Sequence, residues 1–424
     1  MNEKKKQGLV LGGGGARGCY EIGAWQAFDE CGIHFDCVSG TSIGALVGAL
    51  YVEHALGPAI EFAYHLKPTD VAVDLFEFPK DFEQAFENRR VMVDYLRQFV
   101  REGMDITPLR EAFERLFNYR EFMESSVDYA CMTFNVTKLT GEAFFKSAMT
   151  PENSIDILLA SASCYPAFPM LEMNGSSYID GGYENNLPCD LAVAMGAEEL
   201  TVIDVHGPGR VKPWPAGVPV RYLQPILQLG NFLDFSTEEA KRSLHLGYLE
   251  TMKAENRFFG YAFTFEKYDW PRYYVLASRI DEKLKENGEF LNLEAGKNLL
   301  AYALGYTPAP LENEFMPRYA VGCAIEALAT FAKLDPVRLY DYEFFLHALK
   351  EKLDALAHPQ IPTSRAEVRA LLRSDRREDV LILVHAIIAE NKGTIPLLFE
   401  PLRPVFSRSF QLAWIWYCLD LYVR

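Results

Sequence analysis

The chain opens on an alternation of short apolar runs and helical apolar spacings. Gln7–Leu11 is an apolar run that stops at glycines, which predicts a buried strand. Across residues 16–30 the apolar positions Tyr20, Ala24, Ala27 and Phe28 follow a helical spacing, and residues 35–38 form a second short run. Residues 43–56, rich in Ala, Leu and Val, predict a second helix. A βαβα opening of this kind argues for a parallel sheet covered by helices. Residues 58–126 are helical in pattern and dense in aromatic and charged side chains, which predicts an insertion beside or over the sheet. Further strands are predicted over 128–136, 142–147, 176–179, 200–205 and 221–226, and helices over 154–163, 191–195 and Thr237–Ala254. The density of Gly and Pro over 207–219 marks a surface loop.

From residue 270 onward strand signals thin out. Helical segments take over at 291–304, 320–334, 341–357, 365–373, 379–391 and 408–422, punctuated by prolines. The chain therefore divides into an α/β domain over 1–260 and an all-helical domain over 261–424.

Composition narrows the classes of function. Nearly half of the 424 residues are hydrophobic and about a quarter are charged, a globular composition able to bury a sizeable core. The formal net charge of -16 argues against a nucleic-acid partner, which needs Lys and Arg against phosphates. It also makes an anionic bilayer an unobvious ligand. Eight scattered cysteines form no CxxC pair and no Cys/His cluster of metal spacing, so no metal or other cofactor is expected, and a reducing compartment fits best. The basic start is followed by only Leu9, Val10 and Leu11 before the glycines, too few for the about 7–15 apolar residues of an export signal. No run reaches the roughly 18 apolar residues of a membrane helix; the nearest, 410–423, carries Asp420. The expectation is a soluble cytoplasmic protein.

Three features carry candidate chemistry. The first is Gly40-Thr41-Ser42-Ile43-Gly44, between a predicted strand and helix. A sharp strand-to-helix turn projects a serine hydroxyl clear of a sheet, and Gly40 and Gly44 relieve the crowding on either side. The helix that follows favours negative charge at the serine. The plain alternative is a helix-capping serine with helix-packing glycines. The second is Gly12-Gly13-Gly14-Gly15-Ala16-Arg17-Gly18. Glycine amides can approach a ligand closely and stabilise the oxyanion of acyl transfer. Arg17 either supports the loop or attracts an anionic head group. Gly13, Gly15 and Gly18 also satisfy a dinucleotide-binding pattern, but Asp36 falls within the second strand where an acidic residue is needed at its end. The third is Asp180-Gly181-Gly182 at a strand end. A serine hydroxyl needs an adjacent base, and Asp180 can sit at the same sheet edge as Ser42. His206 is the histidine that could serve in a Ser–His–Asp triad instead, with a surface loop histidine as the plainer alternative.

The glycine loop, the GxSxG turn and a distant DGG, in this order, resemble the patatin-like phospholipases. Ala160-Ser161-Ala162-Ser163-Cys164-Tyr165-Pro166-Ala167-Phe168-Pro169 looks like that family's AS-x-x-x-P-x-x-F-P segment. Asp180 to Pro188 looks like DGG-x-x-x-N-x-P, and the helix carrying Gly247-Tyr248 is similar to the family's closing helix. The resemblance covers residues 7–255. It implies a three-layer α/β/α fold with a mainly parallel sheet and hydrolysis of fatty-acyl esters of (phospho)lipids through a Ser–Asp dyad and an acyl-enzyme. Ser42 is then the nucleophile and Asp180 the base. Gly13, Gly14 and Gly15 form the oxyanion hole, and Arg17, Gly18, Gly40, Gly44, Gly181 and Gly182 support the motifs. The partner is a lipid or acyl-ester substrate. The aromatic stretch 76–122 is the candidate acyl pocket, with ordinary helix packing as the alternative. The C-terminal helices are left open as a lid, a homo-oligomer surface or a face for transient membrane contact. A Ser–His–Asp esterase using His206, an inert lipid-binding protein and nucleotide binding at the glycine loop are the competing readings.

Overall fold

The computed structural model describes residues 5–73, 104–266, 271–311, 313, 319–356, 359–372 and 377–423. Its contacts gather into two units, Met1–Thr251 and Met252–Arg424.

The first unit is built on a sheet of eight described strands. Five of them are β1 (Gln7–Leu11), β2 (Cys37–Thr41), β3 (Asp128–Asn135), β7 (Glu199–Ile203) and β8 (Val220–Leu223). They pair in parallel in the order β3-β2-β1-β7-β8. β4 (Thr140–Phe145), β5 (Leu171–Met173) and β6 (Ser176–Asp180) extend this core with antiparallel pairings at the β3 end. The central strands are apolar on both faces, as covered parallel strands require. Leu11, Val38 and Tyr129 pack against Gly48 of helix α2 (Ile43–Val52) on one face. On the other face, Val10 and Cys37 form a buried cluster with Cys189 and Ala192 of a helix over Cys189–Ala194, while Ala130 and Met132 pack on Leu191. The result is the α/β/α layering that the alternating opening implied.

Several boundaries move for identifiable reasons. β2 starts at Cys37 and runs on through the polar Ser39 and Thr41. Both hydroxyls are buried but satisfied, Ser39 donating to the Pro188 carbonyl at 2.9 Å and Thr41 to the Asn185 carbonyl at 2.8 Å. The helix after Ser42 stops at Val52, where His54 takes φ 61°, and a new helix α3 (Leu56–His65) begins. β5 has no clear apolar run, but Asn174 and Gly175 both adopt positive φ between it and β6, the signature of a tight hairpin. Within 58–126 the described helices beyond α3 are α4 (Thr107–Leu116) and α5 (Tyr119–Glu124). Residues 74–103 lie outside the described residues, and with them most of the aromatic stretch proposed as the acyl pocket.

The second unit is dominated by helices over Pro271–Glu286, Leu293–Leu304, Ala320–Phe331, Tyr342–Asp354, Arg365–Leu371, Arg377–Glu390 and Ser407–Tyr422. The first of these has no counterpart in the sequence reading. A small sheet of Phe258–Phe259, Thr264–Glu266 and Leu339–Tyr340 accompanies them. These strands are two or three residues long, too short to leave a periodic trace. Their connecting turn is held by the buried Glu326 carboxylate, which accepts from the Tyr261, Ala262 and Phe263 amides, and by the buried Lys253 ammonium, which donates to the Tyr261 carbonyl.

Candidate active site

Ser42 occupies the turn between β2 and α2 with φ 58° and ψ -127°. A non-glycine residue in that region is strained and persists only where its surroundings enforce it. The surroundings here are tight. A Cβ on Gly40 would lie 2.2 Å from the Gly44 carbonyl oxygen, and one on Gly44 would lie 2.5 Å from that of Leu11. The Ser42 amide donates to Ser161 Oγ at 3.0 Å, and Ser161 Oγ donates to the Met132 carbonyl at 2.7 Å, pinning the turn to β3.

Register brings Asp180 to this turn. Thr41 of β2 pairs with Met132, and the next residue of β3, Thr133, pairs with Asp180 of β6. Ser42 and Asp180 therefore flank β3 at the same height. Both are buried. The Gly182 amide donates to Asp180 Oδ1 at 2.7 Å, and the Asp180 amide donates to the Ser163 carbonyl at 2.8 Å. Burial raises the Asp180 pKa to about 6, against the opposing pull of hydrogen bonds from the Ser42 hydroxyl and the Gly182 amide. The carboxyl thus lies beside the serine hydroxyl, with its pKa held above the usual carboxylate range.

The glycine loop passes directly over the serine. A Cβ on Gly13 would lie 3.1 Å from Ser42 Cβ and 2.3 Å from Asn186 Oδ1. The loop's amides are not equivalent. That of Gly12 donates to Ile203 at 3.1 Å, that of Gly13 to the Asn186 carbonyl at 3.3 Å and that of Ala16 to Phe232 at 2.8 Å. The Gly14 and Gly15 amides have no protein acceptor among the described residues. Gly18 opens the helix α1 (Gly18–Glu30) against Ile43, and Gly181 lies against the Met132 backbone. Arg17 binds three carbonyls, Gly230 at 2.8 Å, His206 at 2.6 Å and Val205 at 3.3 Å, and so fastens the glycine loop to its neighbours.

An open cleft of about 550 Å³ collects Gly13, Gly14, Gly15, Ser42, Asp180 and Asn186, with apolar walls that include Leu46 and Phe168. His206 is absent from the described residues bordering it, although Pro208 is present. Its imidazole is half exposed and lies 3.5 Å from Asp204 Oδ2, and Tyr222 also donates to that carboxylate. Asp36 accepts from the Gln7 amide at 2.8 Å. That is the opposite end of β1 from the glycine loop, so it does not provide the acidic residue of a dinucleotide site.

Two contributors were not singled out from sequence. Ser161 and Asn186 both lie inside the quoted motif segments, but neither titrates, so neither stood out as chemistry. Asn186 is buried, and its Nδ2 donates to the Gly13 carbonyl at 3.1 Å and towards that of Gly207 at 3.5 Å. Its Oδ1 has no hydrogen-bond partner among the described residues.

Comparison with known proteins finds relatives over the part of the chain that holds this site. Patatin-like phospholipase domain-containing protein 7 from Rattus norvegicus is 31% identical over 199 residues, covering 46% of this chain and 13% of that protein. Lysophospholipase NTE1 from Mycosarcoma maydis is 31% identical over 203 residues, covering 47% of this chain and 10% of that protein. Patatin-like phospholipase domain-containing protein 6 from Homo sapiens is 31% identical over 212 residues, covering 46% and 13%. The chain thus spans only a small part of these relatives. Among solved structures, VipD from Legionella pneumophila covers 99% of this chain at 13% identity and a TM-score of 0.38, too distant to bear on the fold. The family model for patatin-like phospholipase matches residues 9–193, the stretch that contains the glycine loop, Ser42 and Asp180.

Proposed function

We propose that the protein is a lipid acyl hydrolase that cleaves fatty-acyl esters of (phospho)lipids with Ser42 as nucleophile and Asp180 as base. The observation that carries this reading is the meeting of a serine on a strained turn with a buried carboxyl of pKa about 6, below two unengaged glycine amides. Asp180 takes the Ser42 proton as Oγ attacks the acyl carbonyl carbon. The carbonyl oxygen becomes an oxyanion held by the Gly14 and Gly15 amides, with Gly13 shaping the loop through its own bond to Asn186. Each such donor contributes about 3 kcal/mol to the transition state. Collapse of the tetrahedral adduct expels the alcohol, which leaves with the proton from Asp180. Water then gives a proton to Asp180 as it attacks the acyl-enzyme carbonyl, and collapse of this second adduct releases the fatty acid as Asp180 returns the proton to the departing Ser42 Oγ. All steps lie within the unit assigned to residues 1–260, and the helical region 261–424 is assigned no step. The eight cysteines form no disulfide, which supports a reducing, cytoplasmic setting.

The test is a panel of lipids with released fatty acid measured by mass spectrometry, alongside labelling by a fluorophosphonate. Wild type should release fatty acid and label. Ser42→Ala should do neither, and Asp180→Asn should lose hydrolysis. Hydrolysis that survives Ser42→Ala overturns the reading. The Asp204–His206 contact keeps a triad as the second reading, and full activity in His206→Ala eliminates it.

A further inference from the structure

Leu139, Tyr165, Tyr183, Val211 and Trp214 are exposed large apolar side chains of the first unit, and they gather on one side of the Ser42 cleft. Tyr165 follows the cleft-wall residue Cys164, Tyr183 follows Asp180-Gly181-Gly182, and Val211 and Trp214 come shortly after Pro208, another wall residue. Local contacts join these segments into one band. The Tyr183 hydroxyl donates to the Tyr165 carbonyl at 2.5 Å. Beyond Tyr183, residues 210–212 run against 182–186. The Arg210 amide donates to the Gly182 carbonyl at 2.8 Å, and the Lys212 ammonium lies 2.7 Å from the Glu184 carboxylate. Val211 stands between these two residues, 52% exposed. Gly141 of β4 abuts the same Glu184, where a Cβ would lie 2.2 Å from Cγ. That brings in Leu139 at the tip of the β3–β4 hairpin, 76% exposed.

Two observations say what covers the band. Leu139 has φ 54°, a left-handed conformation that Asn or Gly adopts at less cost. Leucine there bears backbone strain and exposure together, and the folding of the hairpin explains neither. The band is also balanced in charge on an acidic protein. Lys138 lies 3.3 Å from Glu142, and Lys212 lies 3.8 Å from Asp190 as well as near Glu184, with Arg210 alongside. We propose that this band docks on the surface of a zwitterionic lipid aggregate and so presents the Ser42 cleft to it. The proposal rests on the lipid-hydrolase reading of Ser42, which makes a lipid surface the thing the cleft must meet. Tyr and Trp carry an apolar ring with a polar tip and settle at the boundary between water and hydrocarbon. Leu139 and Val211 supply the purely apolar contact. Balanced charges neither draw in an anionic bilayer nor oppose a zwitterionic one. A second copy of this chain would bring its own net charge of -16 against the first.

The experiment measures sedimentation of the full chain with phosphatidylcholine vesicles, in a Ser42→Ala background so that lipid is not consumed. Beside it, chains with Ser42 intact hydrolyse the same vesicles and soluble nitrophenyl butyrate. Leu139→Asn, Val211→Ser and Trp214→Ser combined should weaken vesicle binding and vesicle hydrolysis about tenfold or more, with butyrate within about twofold of wild type. Leu139→Asn alone should weaken binding about threefold or more while the thermal midpoint stays or rises, a split that a structural role does not give. Thermal denaturation and fluorophosphonate labelling of Ser42 report folding; if the combined variant is not folded, Leu139→Asn decides alone. Failure of the Ser42→Ala chain to sediment with vesicles, unaltered binding in folded variants, or an equal loss on both substrates overturns the docking surface. A dimer in solution that the substitutions dissociate also overturns it, since the band would then be a face between copies. Hydrolysis persisting in Ser42→Ala overturns the Ser42 reading instead, and vesicle binding then judges the band without it.

Discussion

Asp180 concentrates the conflict between stability and chemistry. Burial raises its pKa from 3.8 to about 6. For an acid raised in the folded state, the folded form binds the proton more tightly, so stability falls as pH rises between those two values. The cost is absent below pH 4 and complete above about 6, where it amounts to about 3 kcal/mol. Asp180→Asn should therefore raise the thermal midpoint at pH 7 while abolishing hydrolysis, and the gain should shrink as pH falls towards 4. Calorimetry against pH checks this; an unchanged midpoint at pH 7 contradicts it. The same titration sets the acid limb of activity. The base must be ionised to accept the Ser42 proton, so kcat/KM should fall through half its plateau near pH 6. Asn186 offers a separable test as a positioning residue, since it holds the Gly13 carbonyl and returns a carbonyl to the Gly13 amide. Asn186→Ala should cut kcat about 10²-fold through a misplaced loop, leaving the acid limb where it was. Asn186→Asp puts a second carboxylate beside Asp180 and should also move the limb upward. A pH–rate profile distinguishes the two outcomes, and a limb unmoved in Asn186→Asp would remove Asn186 from the site.

At the scale of elements, helix α1 and the helix Thr237–Ala254 cross with their backbones in contact. A Cβ on Gly247 would lie 1.9 Å from the Tyr20 carbonyl oxygen, and one on Gly23 would lie 1.9 Å from that of Leu244. Both obstacles are backbone, which cannot swing aside as a side chain can. Gly247→Ala should destabilise the first unit by about 1–3 kcal/mol or more. Because α1 begins where the glycine loop ends, it should also slow fluorophosphonate labelling of Ser42; wild-type stability in Gly247→Ala would refute the crossing. This crossing joins residues more than two hundred apart, and nothing local in the sequence announces it. Other elements were plain in the sequence because one local signal determined them. β1 ends in the apolar Leu9-Val10-Leu11 before glycines, and Thr237–Ala254 has helical spacing throughout. β2 was set two residues early because Ser39 and Thr41 look like strand-ending polar residues until their distant carbonyl partners are in place. Asp180 was expected near Ser42 as the end of a strand. What brings it there is the pairing of an antiparallel β6 with the C-terminal end of β3, a register that depends on both strands at once. Asn186 and Ser161 were hidden for the same reason: their roles lie in the backbone groups they hold.

For the whole molecule, the decisive quantity is charge. Among the described residues no helix is long and apolar enough to cross a membrane. The formal net charge of -16 opposes approach to anionic lipid over about 8 Å at physiological ionic strength and over longer distances in dilute salt. Moving an acyl chain from the bilayer interior to the apolar walls of the Ser42 cleft would exchange one hydrocarbon environment for another, so tail burial gives little preference between vesicle types. Encounter electrostatics should then dominate. Fatty-acid release from vesicles of one acyl composition should fall as zwitterionic lipid is replaced by anionic lipid at low salt. The deficit should narrow when salt is raised to 0.5 M, where the screening distance drops to about 4 Å. Soluble nitrophenyl butyrate, which carries no charge, should show neither effect and serves as the internal control. Release that rises with anionic content would require a local basic docking surface strong enough to outweigh the net charge, and would refute surface encounter governed by the whole molecule.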